Sequence, residues 1–112
     1  MFVDIDYPEL MKKKREVILA TSQLLDLLQP LDAFADSGSV LLRSGHYIAL
    51  GCDLANTKTL DSILTSEFDM SEYLILCTAE VSITYMNVKA ADSLIAWASR
   101  YDDGMSDRLF KI

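Results

Sequence analysis

The sequence is poor in the residues that mark many functional classes. It has only four glycines, and neither G-x-x-x-x-G-K-[ST] nor G-x-G-x-x-G occurs, so a glycine-rich loop cradling phosphates is excluded. With one histidine and two cysteines, and no C-x-x-C or H-E-x-x-H spacing, there is no metal-ligand pattern. His46 follows Ser44-Gly45, but no glycine precedes Ser44 at the spacing of a nucleophile elbow. His46, Cys52 and Cys77 are therefore expected to be non-catalytic, with no metal and no cofactor, and the cysteines read as free buried thiols. No apolar run exceeds five residues (YLILC is one), far too short to span a bilayer. The opening MFVDIDYPEL is acidic and lacks an apolar h-region, so it does not read as a signal peptide. A cytoplasmic location is the expectation.

Basic residues are also scarce. Ten Lys and Arg face seventeen Asp and Glu, a formal net charge of −7. Such a balance repels nucleic-acid backbones and anionic membranes. Four of the ten cations sit together as KKKR at 12–15, where they read as the solvated outer face of a helix.

What is present is a hydrophobic half of the chain, 51% of residues, enough for a core without metal or disulfide staples. Pro8 suits the first turn of a helix, and Pro30 should stop it near Gln29. Between them Leu10, Val17, Leu24 and Leu31 recur every seven residues, with Met11, Ile18 and Leu25 alongside, an amphipathic pattern. Ser44-Gly45 between two apolar runs predicts a hairpin pairing Arg43 with His46, Leu42 with Tyr47, Leu41 with Ile48 and Val40 with Ala49. Asn56 and Asn87 are good N-caps for two further helices. Before the second lies EYLILCTAEVSITYMN, read as another hairpin turning at Ala79-Glu80 through a slightly longer loop, since the turn lacks Gly, with Val81, Ile83 and Tyr85 inward.

The expectation is one α+β domain over 1–112, an antiparallel sheet from two β-hairpins with three helices in the order α-ββα-ββα. It divides into an N-terminal segment (1–6), a long helix (8–29), two ββα units (39–68 and 72–102) and a tail (103–112), whose RLFKI adds an edge strand or docks. Val17, Leu24, Ile48, Leu50, Ile63, Leu74, Leu76, Ile83, Leu94 and Ile95 are the expected core. The helix openings NTKTLDSIL (56–64) and NVKAADSLI (87–95) share Asn, Lys, Asp and Ser at matching positions. Lys and Asp three apart form helix-surface pairs, a structural reason for the repetition.

With so little chemistry visible, the sequence reads as a small acidic, non-enzymatic protein-binding protein. It would inhibit or regulate a basic, nucleic-acid-handling partner, as inhibitors, immunity proteins and mobile-element accessory proteins do, without touching nucleic acid or membrane itself. Asp61, Asp92, Glu67, Asp69 and Glu72 are the candidate contacts, since acidic faces steer association with basic partners. The alternative is a homodimeric adaptor, scaffold or chaperone-like subunit; the element order resembles that of roadblock-type dimerisation domains, an analogy of fold with no residue motif behind it.

Overall fold

The computed structural model describes residues 1–33, 38–73, 75–79 and 82–100. The chain is α+β. It divides into two compact units, Met1–Asp53 and Leu54–Ile112.

The first unit is built on a four-stranded mixed sheet, ordered β1-β4-β3-β2. Strand β1 (Phe2–Asp6) leads into helix α1 (Pro8–Ala20) and the short helix α2 (Ser22–Leu28); β2 (Leu31–Ala33), β3 (Val40–Ser44) and β4 (Tyr47–Gly51) follow. The purely antiparallel expectation fails at β1. The segment 1–6 is a strand, and it pairs with β4 in parallel, Phe2 opposite Tyr47 through Asp6 opposite Gly51.

The hairpin β3–β4 forms, but in a different register: Arg43 faces Ile48 and Leu42 faces Ala49. The cause is Ser44, whose Oγ accepts the Tyr47 N–H at 3.0 Å, so the turn residues are Gly45 and His46. The register shifts again between Val40 and Leu42. The extra residue of this bulge, Leu41, lets Leu41 and Leu42 both enter the cluster of Met11, Ile18 and Ala49.

The expected helix 8–29 is interrupted at Thr21, which lies in the β region at φ −114°, ψ 105°. Its hydroxyl donates to the Val17 carbonyl at 2.6 Å, the side-chain competition with the backbone typical of Thr. The seven-residue stripe is also displaced by one position. Met11 and Ile18 are buried, whereas Leu10, Val17 and Leu24 are exposed. The start of α1 lies hard against β4, because a Cβ on Gly51 would come within 2.9 Å of the Pro8 Cα.

In the second unit α3 (Thr57–Glu67) and α4 (Val88–Arg100) are capped as the sequence requires. Asn56 Oδ1 accepts the Thr59 N–H at 3.2 Å, and Asn87 Oδ1 the Ala90 N–H at 2.8 Å. The second hairpin is absent: among the described residues of 72–87 there is one isolated bridge residue, Cys77, and a 3₁₀ turn, Ser82–Tyr85. Met86 N–H bonds the Ile83 carbonyl at 3.1 Å, closing a local helical turn where a strand was expected. Of the expected core, Ile48, Leu50 and Leu94 are buried, Ile63 and Ile83 half-buried, and Leu76 and Ile95 exposed. Leu74, Val81, Glu80 and the tail with RLFKI lie outside the described residues. No helix among the described residues is long and apolar enough to cross a membrane.

Candidate functional site

Parallel strands that run side by side end at the same edge of a sheet. In open α/β sheets ligands bind beyond these carboxyl ends. Here β1 ends at Asp6 and β4 at Gly51. The ladder continues one residue further, with the Cys52 N–H donating to the Asp6 carbonyl at 2.8 Å. Asp6 and Asp53 thereby come to adjacent strand ends. Asp6 is half-buried, and its Oδ1 accepts the following Tyr7 N–H at 2.7 Å, which fixes the carboxylate at the entrance to α1. Asp53 is exposed.

One step back from the edge, Asp4 Oδ2 accepts the Tyr47 hydroxyl at 3.0 Å and also pairs with Lys14 of α1. Phe2 stacks on the Tyr47 ring, with centroids 6.1 Å apart and planes 8° from parallel. Burial first, then the Asp4 charge and its hydrogen bond, push the Tyr47 phenol far above its usual range. Tyr47 is thus a fixed neutral donor. Lys14 offsets the Asp4 charge.

The other nominated groups are placed differently. Asp61 is half-buried and accepts the Trp97 indole N–H at 3.1 Å, tying α3 to α4, whereas Asp92 is exposed. The repeated aspartates are therefore not equivalent. Asp69 caps the 3₁₀ turn Met70–Glu72, accepting the Ser71 N–H at 3.2 Å and its hydroxyl at 2.6 Å. Glu67 is half-buried and Glu72 exposed. An open hollow of about 540 Å³ beside Asp69 is lined by the consecutive residues 65–71. His46 is exposed on its turn. Burial raises the thiol of Cys52, helped by the Asp53 charge, and burial alone raises that of Cys77. Both shifts oppose thiolate formation.

Sequence reasoning passed over Asp6 and Asp53. The signal was present in VDIDYP: apolar and acidic residues alternate, then Pro8 opens a helix, the signature of a strand feeding a helix with an acid at the joint.

The leucine carboxyl methyltransferase family profile matches residues 1–99. The chain is also similar to proteins named tRNA wybutosine-synthesizing protein 4. That of Aspergillus fumigatus is 44% identical over 102 residues, covering 91% of this chain and 10% of the relative. That of Gibberella zeae is 46% identical over 101 residues, covering 88% and 10%. That of Saccharomyces cerevisiae is 31% identical over 106 residues, covering 91% and 15%. The chain thus spans about a tenth of the length of the first two relatives.

These findings overturn the reading as a non-enzymatic inhibitor or regulator and its alternative as an adaptor, scaffold or chaperone-like subunit. The exclusion of nucleic acid falls as well, since the relatives are named for a tRNA modification, and nothing supports a basic protein partner or a homodimer. The error lay in reading the charge and motifs of a short stretch as those of a whole machine. Glycine loops, nucleophiles and basic grooves can all lie elsewhere in a polypeptide the length of these relatives. By the family match over residues 1–99, this chain belongs to the leucine carboxyl methyltransferase family.

Proposed function

We propose that this chain forms part of the methyl-donor site of a tRNA-modifying methyltransferase. The observation that carries the reading is the placement of Asp6 at the carboxyl end of β1 and of Asp53 just past that of the parallel strand β4, in a chain of a methyltransferase family. An acidic side chain at such a strand end is the standard acceptor for ribose hydroxyls. The acceptor groups present suit a nucleoside with a sulfonium cation: carboxylates accept hydrogen bonds from its hydroxyls and favour its positive charge, whereas a phosphate-bearing cofactor would be repelled. Methyl transfer from a sulfonium donor forms a bond to the substrate nucleophile and releases a neutral thioether. In this reading Asp6 and Asp53 orient the ribose, and Gly51 keeps the β4 end close to the first turn of α1.

A cytoplasmic setting belongs to the same reading, supported by the two free cysteines, which suit a reducing compartment.

The test is calorimetric titration of S-adenosylmethionine into the native-length polypeptide. Asp6→Asn and Asp53→Asn should each weaken binding about tenfold, roughly 1.4 kcal/mol. Unchanged affinity in both variants, or no binding by the wild-type protein, would overturn the proposal.

A further inference from the structure

Protein kinases select an acceptor hydroxyl by the charges around it, and the acidophilic ones take a serine with carboxylates one and three residues on. Of the Ser and Thr in this chain, only Ser66 and Ser99 have an Asp or Glu three residues on. Ser99 is followed at once by Arg100, a charge of the wrong sign, whereas Ser66 is followed by Glu67 and then by Asp69. No Lys or Arg lies between Lys58 and Lys89, so the charges along the chain on both sides of Ser66 are all negative.

The fold presents this serine at the end of a helix. Ser66 is exposed and is the last residue but one of α3, and its hydroxyl donates to the Ile63 carbonyl at 2.9 Å. Thr65 also bonds back, to the Asp61 carbonyl at 2.8 Å, and such side-chain bonds weaken a helix slightly. The Phe68 N–H closes the final turn on the Leu64 carbonyl at 2.9 Å. From Phe68 the backbone is extended, at φ −136° and ψ 146°, and the exposed Asp69 continues it at φ −79° and ψ 95°. A kinase cleft holds its substrate as extended chain. Here the residues beyond Glu67 already have that form, and only the last turn of α3, the part of a helix that opens most readily, has to give way.

We propose that Ser66 is a phosphorylation site for an acidophilic serine/threonine kinase, and that the phosphate loosens the last turn of α3. The Ser66 Oγ attacks the γ-phosphorus of ATP. The new O–P bond forms as the bond to the β–γ bridging oxygen breaks, ADP leaves, and the hydroxyl proton passes to the kinase's catalytic aspartate. The product carries about two negative charges at the negative pole of the helix dipole, next to Glu67 in the chain. It has also lost the proton that Ser66 donates to the Ile63 carbonyl. Both changes act against the turn that Phe68 closes. Ser66 belongs to the second unit and plays no part in the proposed donor site.

The experiment is incubation of the native-length polypeptide with casein kinase II and ATP, followed by peptide mass spectrometry. Phosphate should appear on Ser66, and the peptide that carries it should stay unmodified in Ser66→Ala. Asp69→Asn should slow modification of Ser66 about tenfold by removing the charge that the kinase reads. Asparagine is as good a cap as aspartate and still accepts the Ser71 N–H, so the local turn survives this change. The Phe68 amide should exchange with solvent about fivefold faster in the phosphorylated protein than in the unmodified one. Absence of phosphate from Ser66, an unchanged rate in Asp69→Asn, or unchanged exchange at Phe68 would each overturn the proposal.

Discussion

Asp61 and Asp92 form a matched pair, since each is the fifth residue of its helix, α3 from Thr57 and α4 from Val88. Replacing either by Ala changes helix propensity and the interaction with the helix dipole by similar amounts, so those effects cancel in the difference. What remains includes the indole hydrogen bond, 3.1 Å from Trp97 to Asp61. A hydrogen bond to a charged group contributes about 1.5–3 kcal/mol. Asp61 is only half-buried, so solvent screening brings the expected excess cost of Asp61→Ala over Asp92→Ala to about 1–2 kcal/mol. With a urea m-value of roughly 1–2 kcal/mol/M, the midpoints should differ by about 1 M. Trp97 is the only tryptophan, and its emission should report the Asp61 variant's unfolding directly. The cycle closes with Trp97→Phe and the double variant, followed by circular dichroism. A coupling near 1 kcal/mol is expected for groups in contact. Equal midpoints for the two aspartate variants, or zero coupling, would refute the assignment of Asp61 as the anchor between α3 and α4.

Gly51→Ala should destabilise the first unit by about 1–3 kcal/mol, as overpacking does, because the new methyl meets the Pro8 backbone at 2.9 Å; a neutral result in thermal denaturation would show that α1 moves away freely. Tyr47 is held neutral in the folded chain above the usual tyrosine value of about 10, so its contribution is complete below pH 10 and declines as the pH rises further, where the unfolded chain ionises first. The urea midpoint should therefore fall above pH 10, and Tyr47→Phe should flatten that fall; an unaltered slope would place the alkaline transition on another group.

The local decisions were legible in the chain. Asn56 and Asn87 cap their helices because a side-chain amide oxygen reaches the N–H three residues on, whatever surrounds it. Gln29 ends α2 because Pro30 cannot continue it. The α+β class followed from such local signals, and so did the β3–β4 hairpin, though not its register. The long-range decisions were not legible. Periodicity drew two parallel stripes on α1, Leu10–Val17 and Met11–Ile18, and the sheet chose the second. The pairing of β1 with β4 joins residues more than forty positions apart, a contact that neither strand's residues announce. That pairing alone sets the ends of β1 and β4, Asp6 and Gly51, side by side. A site shared by two strand ends exists only after the ladder has formed, whereas a cap or a helix stop is settled within a single turn, because its hydrogen-bonding partners are already covalent neighbours.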